Sequence, residues 1–190
     1  LADNQTKQVA LLDAASVPVT KELVLQGQEH YYRAAARDLG GKHKVAVYVR
    51  FENREKSGLG MPLPKGIVRV YKKDRAGNAQ FVGEDRIDHT PKNEQVRLRL
   101  GDSFDVTARR KQTDFRKTGE RAFESAYEIA LNNAKREAVT VIVREPVPGD
   151  WRMLEQSHPH AKAAAGIAEW RVTVPAEGTT TLRYRVLVQL

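Results

Sequence analysis

From Val45 onward, apolar and polar side chains alternate one by one along segment after segment of the chain. Val45, Val47, Val49 and Phe51 alternate with Lys44 and Arg50, and Val96, Leu98 and Leu100 alternate with Arg97 and Arg99. Phe123, Tyr127, Ile129 and Leu131 are interleaved with Glu124, Glu128 and Asn132. Ala168, Trp170, Val172 and Val174 face one way while Glu169, Arg171 and Thr173 face the other. The last run sets Thr180, Leu182, Tyr184, Val186 and Val188 against Thr181, Arg183, Arg185 and Gln189. A period of two sends successive side chains to opposite faces, so each run predicts a half-buried strand. The β-branched and aromatic residues on the apolar faces suit a pleated surface.

Turn signals punctuate these runs: Ala76-Gly77-Asn78, Asn132-Asn133, Pro148-Gly149-Asp150 and Ala176-Glu177-Gly178. Roughly a dozen strands at intervals of about 10 to 15 residues predict an all-β protein, an antiparallel β-sandwich or barrel. Two segments, Tyr31 to Asp38 and Pro159 to Ala165, have the composition of helices. The first fits a strand equally well, and the second reads as a loop. Arg121 to Lys135 contains helix formers, but its evenly spaced Phe, Tyr, Ile and Leu favour a strand. Arg116 to Glu120 interrupts two long strand patterns and suggests a boundary. The division is then an amino-terminal all-β domain or sheet over 1–116 and an immunoglobulin-like β-sandwich over 117–190, with Trp151 or Trp170 at its centre. One continuous β unit over 1–190 is the alternative.

Composition narrows the chemistry. The 190 residues are 41% hydrophobic, enough for a core without metal or disulfide support. No apolar run approaches the roughly 20 residues of a membrane-spanning helix, and Leu1 to Thr6 lacks the charged leader and apolar block of a signal peptide. Without a cysteine there is no disulfide, thiolate nucleophile or Cys-based zinc site. A net charge of +8 suggests a polyanionic partner. The densest cations are Lys65, Arg69, Lys72, Lys73 and Arg75, followed by Arg97, Arg99, Arg109, Arg110 and Lys111. If these strands pair they form a basic ribbon, partly neutralised by Glu84, Asp85 and Asp88. A solvated strand face accounts for the same residues.

A series of motifs in fixed order resembles a known family. Phe81-Val82-Gly83-Glu84-Asp85, Ile87 and His89-Thr90-Pro91 are followed by Phe104-Asp105-Val106 and Asp114-Phe115. Glu145-Pro146-Val147-Pro148-Gly149-Asp150-Trp151 and Ser157-His158 complete the series. Together these are similar to the carboxy-terminal domain of mucoidy-inhibitor-A-like proteins, a bacterial domain of unknown function, over about Lys65 to Leu190. The resemblance implies an all-β fold and a periplasmic or cell-envelope setting. It also implies a longer parent with a signal sequence, a further β domain and a coiled coil upstream. It implies no reaction and no catalytic residues.

Catalytic constellations fare poorly on the residues themselves. Gly101-Asp102-Ser103 evokes a hydrolase block, but strand alternation follows it and no Asp-x-x-His supplies acid and base. Ser157 and His158 are sequence neighbours without a Gly-x-Ser-x-Gly elbow. Neither a phosphate-binding loop nor a dinucleotide fingerprint occurs. His158 and His160, with Asp150 folding in, are weak candidates for a metal site; His89 beside Glu84 and Asp85 is weaker still. The expectation is a non-enzymatic module without cofactor that binds or scaffolds an envelope protein partner. The second reading is a binder of acidic glycan, lipid headgroup or nucleic acid, and a metal-dependent hydrolase is the remote third.

Overall fold

The computed structural model describes residues 13–36, 39 and 41–190. Leu1 to Thr6 lies outside these, as do the last two residues of the Tyr31 to Asp38 segment. The described residues form eleven strands and no α-helix. They are β1 (Thr20–Gln26), β2 (Lys42–Glu52), β3 (Gly66–Lys73), β4 (Ala79–Ile87), β5 (Gln95–Lys117) and β6 (Ala122–Asn133). The series continues with β7 (Val139–Pro146), β8 (Asp150–Gln156), β9 (His160–Ala164), β10 (Ile167–Val174) and β11 (Gly178–Gln189). The all-β expectation therefore holds. The strand expected within Arg121 to Lys135 is β6. Tyr31 and Tyr32 end a short 3-10 turn, Glu29–Tyr32, and His160 to Ala164, expected to be loop, pair with β10 as a strand.

Nine strands make one mixed sheet in the order β8-β11-β6-β5-β2-β1-β7-β10-β9. Every pairing is antiparallel except β1 with β7, so the sheet is mixed and not the purely antiparallel one expected. Strands from both sides of residue 116 share this sheet: β5 and β6 are hairpin partners, and β1 lies in register with β7 from Leu23 opposite Val141 to Gln26 opposite Arg144. The flanks curl toward each other, because Trp170 of β10 stacks on Tyr184 of β11 with ring centroids 4.7 Å apart. Inward residues of β1, β2, β5, β6, β7, β10 and β11 thus fill one core, including Leu25, Val45, Val106, Ile129, Val141, Val172 and Val186. Trp170 is fully buried; Trp151 sits at the rim, its Nε1 donating to the Ala165 carbonyl at 2.9 Å.

The hairpin of β3 and β4 forms a separate two-stranded sheet. Its base is held by the buried Asn53, whose Nδ2 donates to the carbonyls of Met61 at 2.8 Å and Pro91 at 2.9 Å while its Oδ1 accepts from the Gly60 N–H at 3.0 Å. A Leu63–Thr90 bridge closes the hairpin above it. Gly83 lets β4 lie against β5, since a Cβ there would stand 2.5 Å from the Leu100 carbonyl oxygen.

Candidate functional site

Ionisable groups converge most closely inside the core. Val106, Ala108 and Arg110 alternate inward on β5, and Val141, Val143 and Glu145 alternate inward on β7, so two charged side chains end among apolar neighbours. Arg110 Nη1 donates to Glu145 Oε2 at 2.7 Å, and Nη2 stands 2.6 Å from Oε1 as a close ionic contact; both side chains are fully buried. Burial opposes the charge on Arg110, but Glu145 more than offsets this and raises its pKa above the ordinary guanidinium value. The Tyr32 hydroxyl donates to Glu145 Oε2 at 2.9 Å. With that proton committed, Tyr184 donates to Tyr32 across 2.8 Å. Burial first, and the Glu145 charge second, push both phenols well above their usual range.

Surrounding contacts fix this network in place. Tyr127 donates to the Tyr31 carbonyl at 2.6 Å, and Gln112 Nε2 donates to the Tyr127 hydroxyl at 3.1 Å. The ring of Tyr127 is stacked on Tyr184, and the guanidinium of Arg110 lies over Tyr31. Gly27 completes the enclosure, because a Cβ on it would fall 2.1 Å from Glu145 Oε2. The arrangement neutralises the carboxylate with one cation, adds a hydrogen bond from one neutral phenol, and leaves no approach for solvent. It is chemically suited to fixing the relative positions of β5, β7, β11 and the Glu29–Tyr32 turn.

The basic residues named from the sequence divide among three places. Arg110 turns into the core and is removed from any surface ribbon, because its position in the β5 alternation is inward. Arg69, Lys72 and Lys73 lie on the β3–β4 hairpin with Lys65 just ahead of it; Arg69 is bonded to Glu84 at 3.0 Å. Arg97, Arg99 and Arg109 lie on the outer face of β5. Arg97 Nε donates to Glu22 at 3.2 Å and its guanidinium covers the Tyr48 ring at 3.8 Å, while Arg99 bonds Asp102 at 2.7 Å. The two basic groups thus occupy different sheets and do not form one paired ribbon.

The candidate metal ligands are not brought together. Asp150 opens β8 and His158 follows its far end, so about 20 Å of extended chain separates them. His160 sits between Trp151 and Trp170, with Nδ1 2.8 Å from Gln156 Oε1. Burial, then the nearby Lys162, lowers its pKa and favours the neutral ring. His158 Nδ1 contacts Ser157 Oγ at 2.8 Å, but that hydroxyl also accepts from the Arg183 backbone N–H. Among the described residues no group of three His, Asp or Glu side chains is placed to hold a metal ion.

The sheet also leaves an open surface cleft of about 610 Å³ where the Pro146–Gly149 corner meets Arg121, Phe123 and Leu190. Gly149 is required at that corner: its φ is 61°, and a Cβ would stand 2.1 Å from the Gln189 carbonyl oxygen. Compared with known proteins, the chain matches no family model, no curated protein and no solved structure.

Proposed function

We propose that this chain is a non-catalytic binding and scaffolding module of the bacterial cell envelope, a curled β-sandwich that presents the β3–β4 hairpin to a protein partner. The observation that carries the reading is the outer face of that hairpin. Cross-strand register puts Tyr71 opposite Phe81 and Ile67 opposite Arg86. All three apolar side chains, with Val82, are exposed, and the Tyr71 and Phe81 rings meet at 5.6 Å. A folded hairpin that gathers large apolar side chains on a solvated face resembles the apolar centre of an interface. Arg69, Lys73 and Arg86 around it would form a basic rim.

A non-enzymatic role is supported by the sealing of the Arg110–Glu145 pair, where a substrate has no route to the ionised groups. The sandwich is supported by two three-stranded flanks, β8-β11-β6 and β9-β10-β7, whose aromatic side chains meet across the core. The immunoglobulin-like description of residues 117–190 belongs to the same proposal. The likeness of Phe81–Asp85, His89–Pro91 and Glu145–Trp151 to the mucoidy-inhibitor-A-like carboxy-terminal domain supports the envelope setting.

The test replaces Phe81 with a photo-crosslinking residue and irradiates the protein in a bacterial envelope extract. The proposal expects one protein to be captured, with capture lost on adding Tyr71→Asp. Crosslinking no stronger than from a probe at the exposed Arg152, or unaffected by Tyr71→Asp, defeats it.

A further inference from the structure

Independently of the hairpin, we propose that the outer face of the β2–β5 pair binds a linear acidic glycan along its length. Strand β2 is unbroken, so Lys42, Lys44, Tyr48 and Arg50 project from one face. Their partners on β5 share that face: Lys42 is directly opposite Arg109, Tyr48 opposite Arg99 and Arg50 opposite Arg97. The β5 irregularities fall between these pairs and together preserve the even spacing, so Arg97, Arg99 and Arg109 stay on the same side. Lys111, two residues beyond Arg109, extends the stripe toward Glu128 of β6. From Arg50 to Lys42 the stripe runs about 27 Å along the strand.

One feature of this stripe is unexplained by folding. Like charges directly opposite across antiparallel strands destabilise a sheet, yet the pair has one such match at each end. At one end Glu22 bridges Arg50 at 3.4 Å and Arg97 at 3.2 Å and relieves the repulsion. At the other end Lys42 and Arg109 are exposed and have no ion-pair partner among the described residues. In the middle Asp102 serves both Lys44 and Arg99. Among the described residues the face therefore carries a positive charge without a counter-ion, which an anionic ligand would neutralise.

Width and surroundings choose the ligand. The cations occupy two neighbouring strands, about 4.8 Å apart; Glu22 on β1 flanks the Arg50–Arg97 end, and Glu128 on β6 stands opposite Lys111 at the other. A single anionic chain fits between these acids, whereas a duplex or a bilayer would press on them. Single-stranded nucleic acid calls for aromatic stacking platforms, and the aromatic ring of the stripe, Tyr48, is covered by Arg97. What remains is a chain whose sulfates or carboxylates are spaced along a sugar backbone, suited to the bidentate guanidinium groups.

A size-defined heparin oligosaccharide titrated against the purified chain at several salt concentrations tests this. Removing Lys42 or Arg109 with alanine should weaken binding about fivefold each, and Lys42→Glu should weaken it further. Each loss should also lower the slope of log affinity against log salt by about one. Lys42→Glu should at the same time leave the melting temperature unchanged or higher, because it sets a carboxylate opposite Arg109. Lys72→Ala with Lys73→Ala, on the hairpin, should bind as the parent does. Unchanged binding by Lys42→Glu, or an equal loss from the hairpin variant, overturns the site. Tighter binding of a single-stranded oligonucleotide or of phosphatidylglycerol vesicles at the same salt overturns the glycan assignment.

Discussion

Replacing Glu145 with leucine should destabilise the protein by about 3 to 5 kcal/mol, because it strands the Arg110 guanidinium in the core without a counter-charge. Arg110→Met should cost about the same for the converse reason. Domains of this size are stable by only about 5 to 15 kcal/mol, so either change removes a large share. The double variant, Arg110→Met with Glu145→Leu, removes both charges and substitutes side chains of comparable volume. Tyr32 loses one acceptor but keeps its hydrogen bond with Tyr184. Its stability should lie within about 2 kcal/mol of the parent, giving a coupling between the sites of several kcal/mol. Urea unfolding followed by the fluorescence of Trp151 and Trp170 measures all four corners of the cycle, provided the slope with denaturant stays constant. Single variants that cost less than about 1 kcal/mol, or a double variant as costly as the sum, would refute the ionic-core reasoning.

Other tests probe the same framework. Tyr32 and Tyr184 hold their protons well above the ordinary value near 10, so above that pH the unfolded chain loses protons that the folded one retains. Stability should therefore fall as pH rises beyond 10, by about 1.4 kcal/mol per pH unit for each phenol, and Tyr184→Phe should flatten the fall. His43 behaves in the opposite sense: burial, then Arg110, lowers its pKa below 6.5, so the unfolded chain takes up protons first and stability declines below that pH. Denaturant midpoints at pH 7.5 and 5.5 should separate less in His43→Asn than in the parent. Trp170→Ala should cost about 3 to 5 kcal/mol in the same unfolding assay. Gly149→Ala should lower the melting temperature, because a Cβ there meets backbone at a left-handed φ.

Strand existence was legible wherever one face is greasy and the other solvated, as in residues 180–188 and 168–174, because burial on one side enforces the period. Alanine-rich 160–164 carries no such period, and its strand arises from pairing with β10. The parallel contact of β1 with β7 joins residues more than a hundred positions apart, which no local pattern encodes. Arg110 and Glu145 were legible in principle. Each falls at the inward beat of its run, after Val106 and Ala108 or after Val141 and Val143, and a charge on that beat marks a buried partner. A count of basic residues alone assigned Arg110 to the surface. Conversely, the shared face of Lys42 and Arg109 depends on cross-strand register, which the sequence does not print.

If the inner ionic network only holds the strands and the outer surface does the binding, the two can be separated in one measurement. Crosslinking from position 81 is to be compared in the parent, the Arg110→Met/Glu145→Leu variant and the Tyr71→Asp variant, each confirmed folded by circular dichroism. Undiminished capture with the rewired core and loss of capture with Tyr71→Asp is the predicted result. Loss of capture from a folded protein with the rewired core would contradict the account, since the buried charges would then take part in function.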